Sequence, residues 1–283
     1  MKDSITNEMI KELRAKTGVS ISKCKNALVR AEGSIEKAIE ILRKEGITAG
    51  ISKAYKTANE GLIGCSEKDN FISIVEINTE TDFVAQNEKF KAFLIDIAEQ
   101  ITKKLPSSLE ELLSQKFIVD ESMTVDEYKN ILIQQFGENI QIKRMKLIEK
   151  IKNASYGIYI HMGGKIVSIV EIEGAEDQTV LAKDIAMHVA AESPRYLQPE
   201  EIEKDVLEKE KEIAFSQVKD KPPHIKDKIV EGKIKAFYDE VCLLRQKFIK
   251  DPSVTIKEVI EKISKDINKA ILIKRFWCWK IGE

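Results

Sequence analysis

Three histidines and four cysteines are too few to build most chemistries into this chain of 283 residues. Cys24, Cys65, Cys242 and Cys278 form no Cys-x-x-Cys pair, and the histidines are too scattered to complete a set. A zinc site or a disulfide framework is therefore not expected, and a reducing compartment fits best. Aromatic residues make up only 6%, and no basic stripe with interleaved aromatics marks a nucleic-acid groove. Lys and Arg total 46 against 47 Asp and Glu, a net charge of −1. No global field draws the chain to nucleic acid or to a membrane surface. No apolar run approaches a membrane span, and Met1-Lys2-Asp3-Ser4 opens no signal peptide. The chain reads as cytoplasmic. The phosphate loop, the Gly-x-Gly-x-x-Gly turn and the Gly-x-Ser-x-Gly elbow are all missing. Gly163-Gly164-Lys165 lacks the phosphate-loop spacing. No cofactor, metal site or catalytic residue is expected, and a protein-binding role gains by elimination.

What is present is rich in Ile, Lys and Glu, which suits helices plus a few β segments. Residues 1–46 read as three short amphipathic helices. Thr6 caps the first, which carries Met9, Ile10 and Leu13 and stops at Gly18. Ser20 or Ser22 starts the second, with Cys24, Ala27, Leu28 and Ala31 inward and Gly33 as its stop. Ser34 caps the third, with Ile35, Ala38, Ile39 and Leu42 inward and Gly46 as its stop. Residues 47–60 have no clear period and read as a linker. Gly61-Leu62-Ile63-Gly64-Cys65 and Phe71-Ile72-Ser73-Ile74-Val75-Glu76-Ile77 then read as strands around a polar turn. Phe90, Phe93, Leu94, Ile97, Ala98 and Ile101 form a helical stripe that Pro106 ends. Residues 107–142 are helical again, with a Thr124–Glu127 capping box, before Asn139-Ile140-Gln141-Ile142-Lys143 alternates as a strand.

The chain then repeats itself. Tyr156 to Met162, Gly163-Gly164 and Lys165 to Ile172 form a hairpin pattern with a two-glycine turn. Ser168-Ile169-Val170-Glu171-Ile172 copies Ser73-Ile74-Val75-Glu76-Ile77, and a helix follows each: Asp96-Ile97-Ala98 in one, Asp184-Ile185-Ala186 in the other. An internal duplication of strand–strand–helix is the economical explanation. The copies differ most at the strand-to-helix junction. The first reads Glu80-Thr81-Asp82-Phe83-Val84-Ala85, the second Gly174-Ala175-Glu176-Asp177. Thr81 and Asp82 are both candidate caps. Phe83 either tucks into the local core or points out at a partner. Two charged helices follow at 200–218 and 225–244, around Lys221-Pro222-Pro223-His224. Ile202, Val206, Ile213 and Val218 of one face Ile229, Phe237 and Val241 of the other, an antiparallel coiled-coil pattern. It serves self-association or stands as a solvated spur. Residues 270–281 read as an edge strand with Trp277 and Trp279 on one side. His188 falls on an apolar helix face, as a core histidine does. His161, before the hairpin turn, is open to a core or a rim role.

These residues resemble the elongation factor Ts family, the exchange factors for elongation factor Tu. The likeness runs through Ile10-Lys11-Glu12-Leu13-Arg14 with Thr17-Gly18, Cys24-Lys25-Asn26-Ala27-Leu28, Glu80-Thr81-Asp82-Phe83-Val84-Ala85-Gln86-Asn87-Glu88-Lys89-Phe90, Gly137-Glu138-Asn139-Ile140, Met187-His188-Val189-Ala190-Ala191 and Glu231-Gly232-Lys233-Ile234-Lys235-Ala236-Phe237. It implies an α+β fold with a ubiquitin-associated-like three-helix module and linker at 1–55. It further implies two related core subdomains, one at 56–142 and one at 143–198 with 245–283, and a helical hairpin at 199–244 used for dimerisation in some members. It implies a partner, elongation factor Tu, bound with GDP or nucleotide-free, and no covalent chemistry. Thr81, Asp82, Phe83 and Val84 would disturb the partner's magnesium site, and His161 would face its phosphate-loop helix. Arg14, Ile21 and Ser22 would touch a partner helix. The chain departs from the family pattern at Val19-Ser20-Ile21-Ser22-Lys23, where relatives carry two methionines and an Asp. It also ends at Ile281-Gly282-Glu283, where relatives are expected to continue into a further helical module. Two rival readings are a dimeric scaffold or chaperone-like binding protein built on 199–244, and a hydrolase pairing His161 with Glu171 or Asp177.

Overall fold

The structure, a computed structural model, describes residues 5–17, 21–44, 58–218 and 222–283. Contacts divide the chain into one unit that runs to Glu149 and takes in Ile281–Glu283, and a second unit, Lys150–Lys280. The expected stops at Gly18 and Gly46, the Ser20 cap, most of the 47–60 linker and Lys221 lie outside the described residues.

In the first unit, α1 (Asn7–Thr17), α2 (Ile21–Arg30) and α3 (Ile35–Lys44) enclose Leu13, Cys24, Leu28, Ala38 and Leu42. Thr6 Oγ1 accepts the Met9 N–H at 3.2 Å, and Ser34 Oγ accepts that of Lys37 at 3.3 Å, so both expected caps form. After α2, Gly33 takes φ +88° and its N–H returns to the Leu28 carbonyl at 2.9 Å. An antiparallel sheet follows, in the order β1 (Glu60–Lys68), β2 (Phe71–Thr79), β3 (Ile140–Glu149). The strand expected at 139–143 thus continues to Glu149, burying Ile148 as well as Ile140 and Ile142. Between β2 and β3 come α4 (Asp82–Ala85), α5 (Glu88–Lys104), α6 (Leu109–Ser114) and α7 (Val125–Phe136). They complete a core of Val75, Ile77, Phe90, Phe93, Ile97, Phe117 and Leu132.

The second unit holds a sheet in the order β4 (Ala154–His161), β5 (Ile166–Glu173), β8 (Leu272–Lys280), also antiparallel. Between β5 and β8 run α8 (Thr179–Glu192), α9 (Lys204–Ser216), α10 (Pro223–Val241), β6 (Lys247–Phe248), β7 (Asp251–Thr255) and α11 (Ile256–Asp266). Helices against antiparallel sheets place the chain in the α+β class.

The repeated pentapeptide makes the same bonds in each unit. Ser73 Oγ donates to the Ala98 carbonyl at 2.7 Å, and Ser168 Oγ to that of Ala186 at 2.5 Å. Glu76 takes the Arg144 guanidinium at 2.6 Å, and Glu171 that of Arg275 at 2.7 Å. Each ladder slips register just after that glutamate.

Two expectations need correction. β4 and β5 do form the expected hairpin, but its turn is not the two glycines alone: it is a 3₁₀ turn over Met162–Gly164, with φ of +48°, +64° and +105° in succession. Ile213 does not join the seam between α9 and α10, being 49% exposed. Leu207, Ala214 and Val218 fill it against Val230, Ile234 and Tyr238. Spacings of seven and four keep those three on one face, and Ile213 lies about 100° around from Ala214.

Candidate functional site

At the end of β2 the chain must turn from strand to helix, and Thr81 makes that turn. Its φ and ψ are extended, and its Oγ1 accepts the Val84 N–H at 3.4 Å. Asp82 is therefore not a cap: it takes the first helical position and lies exposed. A carboxylate there still faces the positive end of the short helix. Val84 and Ala85 are buried in the core of the first unit. Two residues of one turn thus anchor it inward, and the helical period sends Phe83 outward, 85% exposed. Asn87 then caps α5 by accepting the Lys89 N–H at 2.9 Å. Of the two fates open to Phe83, the structure places it on the outside.

His161 ends β4 and is exposed. Its ring stacks on Tyr159 at 5.9 Å between centroids, and Tyr159 Oη lies 3.2 Å from Nδ1. Ile160 and Met162 on either side of it are exposed apolar residues. On the helical module, Arg14, Ile21 and Ser22 are exposed as well. Thr81 to Val84 thus share one turn, whereas His161 belongs to the second unit and Arg14, Ile21 and Ser22 to α1 and α2.

The family model described as Elongation factor TS matches residues 80–283, beginning at this junction. Elongation factor Ts of Protochlamydia amoebophila (strain UWE25) is 48% identical over 280 residues, with 99% of each chain covered. Elongation factor Ts of Chlamydia felis is 42% identical over 275 residues, covering 97% of this chain and 98% of that one.

The chain belongs to the elongation factor Ts family. Its function is that of a translation elongation factor.

The family assignment leaves the hydrolase without support, and the geometry offers it none. In the β4–β5 register His161 pairs with Ile166 and Tyr156 with Glu171. His161 therefore stands five residues, on the order of 17 Å, along the strand from Glu171. Glu171 is fully buried and bound to Arg275. Asp177 accepts from Gln178 Nε2 at 3.1 Å, and that bond holds its carboxyl below the usual range. His188 is the buried histidine the apolar face implied: Nε2 lies 3.0 Å from Gln246 Oε1, and Nδ1 accepts the Ile249 N–H at 3.3 Å. Among the described residues no group of three or more His, Cys, Asp or Glu is placed to hold a metal ion.

One contributor escaped the sequence reading. Glu138 binds the junction from 57 and 59 positions away, in two hydrogen bonds with Thr81 and one with Thr79. The Gly137-Glu138-Asn139-Ile140 motif signals only a helix stop before a strand, and nothing in its spacing points back to Thr81.

Proposed function

We propose that the chain binds elongation factor Tu carrying GDP and speeds GDP release by loosening the partner's magnesium and phosphate site. One observation carries this reading: Phe83, a large apolar ring, is held 85% exposed on a capped, inward-anchored turn. Exposed large aromatics on rigid supports are what binding anchors are made of. Magnesium and GDP support each other in a GTPase because the ion neutralises phosphate charge. A ring wedged beside the metal site weakens one and thereby the other, a coupling that must run equally in both directions. No bond of the nucleotide is made or broken, so the chain is an exchange factor rather than an enzyme in the usual sense.

Thr81 sets the turn, Asp82 presents its carboxylate beside the ring, and Val84 anchors from within. His161 is the proposed contact from the second unit, with Arg14, Ile21 and Ser22 as lesser contacts. The repeat of bonds around Ser73-Glu76 and Ser168-Glu171 supports two duplicated core subdomains. The proposed division is 56–142, then 143–198 with 245–283, behind a 1–55 helical module and interrupted by a coiled-coil hairpin at 199–244. Exposed Ile213 and Phe215 on that hairpin support its use as a homodimer contact. No described helix is long and apolar enough to cross a membrane, and the work proposed belongs in the cytoplasm with the translating ribosome.

The test is release of a fluorescent GDP from purified elongation factor Tu. The native chain is expected to accelerate it and Phe83→Ala to lose at least about tenfold, the ~1.4 kcal/mol or more of an interface anchor. Binding without acceleration would favour the scaffold reading.

A further inference from the structure

The turn that carries Phe83 is too short to hold itself. Four residues, Asp82–Ala85, make at most one helical turn, and a first turn fixes several dihedrals for a single hydrogen bond. Burial of Val84 and Ala85 supplies part of its support. The rest comes from Glu138, which follows Gly137, the left-handed stop of α7 at φ +74°. Glu138 Oε2 accepts the Thr79 hydroxyl at 3.0 Å and the Thr81 backbone N–H at 3.1 Å. Glu138 Oε1 accepts the Thr81 hydroxyl at 2.7 Å. The bond is returned from the other side, because Glu80 Oε1 accepts the Asn139 N–H at 2.8 Å. Both strand ends are therefore locked to each other by paired carboxylates.

The hydroxyl of Thr81 explains why this matters for α4. It has one proton, and that proton goes to Glu138. A lone pair of the same oxygen then faces the Val84 N–H, which is the cap of α4. Without Glu138 the hydroxyl rotates freely and the Thr81 N–H loses its acceptor.

We infer that Glu138 is a positioning residue for nucleotide exchange: it fixes Thr81, and through Thr81 the direction in which Phe83 is presented. This rests on the exchange function proposed above. A ring already held in its bound direction loses less freedom on docking than one on a fraying turn.

Two readouts on the full chain test the inference, one without any partner. Hydrogen–deuterium exchange of Glu138→Ala should show protection at Val84 and Ala85 falling at least about tenfold, with Val75 in the middle of β2 unchanged. In GDP release at saturating factor, Glu138→Gln should slow the maximal rate about tenfold. Glutamine keeps the size but offers one carbonyl oxygen to three donors. In a Phe83→Ala background the same change should add less than about twofold, because the two act through one ring. Unchanged protection at Val84 and Ala85 overturns the clamp. An equal loss with and without Phe83 overturns positioning and leaves a merely structural role. A native chain that fails to release GDP overturns the exchange reading, while protection at Val84 and Ala85 still decides the clamp by itself.

Discussion

His188 and Phe83 show how little a residue's type says until its surroundings are known. His188 is fully enclosed, with each ring nitrogen satisfied by one neighbour in the neutral form. Burial pushes its pKa below the ordinary 6.5, more strongly than the Gln246 bond and the Glu192 charge raise it. The sign follows from linkage. The unfolded chain takes up a proton near pH 6.5 and the folded chain only at lower pH. His188 therefore supports the fold fully above about pH 6.5 and progressively less as pH falls toward its folded pKa. Urea unfolding of the native chain should weaken from pH 7 to pH 5.5, and His188→Gln should flatten that part of the slope. An unaltered slope would remove His188 as its source. Phe83 is the opposite case. With 85% of its surface exposed, it has almost no buried contact to lose, so Phe83→Ala should change stability by less than about 0.5 kcal/mol. A thermal melt that drops by several degrees would mean the ring is part of the core after all. Sequence alone left both outcomes open for Phe83. The decision depends on Val84 and Ala85 reaching a core built partly from Phe117 and Leu132, far along the chain.

At the scale of elements, one close approach recurs in the two sheets. Gly64 lies opposite Val75, and Gly157 opposite Val170, the same position in the two copies of the pentapeptide. A Cβ on Gly157 would stand 2.1 Å from the backbone carbon of Ala182 in α8, which cannot step aside without moving the helix. A Cβ on Gly64 would meet the buried Leu94 side chain at 2.8 Å and its carbonyl oxygen only at 3.3 Å, a milder clash. Gly157→Ala should therefore cost about 3 kcal/mol or more, and Gly64→Ala about 1–2, read as shifts of the urea midpoint. A reversed order would show that helix placement, not side-chain room, is the soft variable. Most elements were legible because their signals are local: Thr6 and Ser34 as caps, the Thr124–Glu127 box, and the Phe90–Ile101 stripe. What failed was decided by geometry beyond the local pattern. Ile213 reads as apolar in sequence, yet the partner helix selects Ala214. Asp82 qualifies as a cap by type, but Thr81 stands one position earlier, where the strand ends, and takes the role.

For the whole molecule, the question is whether one ring suffices. Phe83 stands on the first unit and His161 on the second, and each is exposed where its strand gives way to a turn. A factor that only gripped its partner would tighten the complex without changing GDP release, since equal binding of both states shifts no equilibrium. To expel the nucleotide, contacts must be stronger with the emptied partner than with the loaded one. Contacts on separate units should weaken GDP independently, because Phe83 on α4 and His161 on β4 share no element and no unit. Their free energies should then add. His161→Ala should slow maximal GDP release about threefold, and joined to Phe83→Ala the fold losses should multiply to within about twofold. Rates from fluorescent GDP at saturating factor measure this directly. A double variant no slower than Phe83→Ala alone would mean that the second unit holds the partner without acting on its nucleotide, and that displacement belongs to the Thr81–Val84 turn by itself.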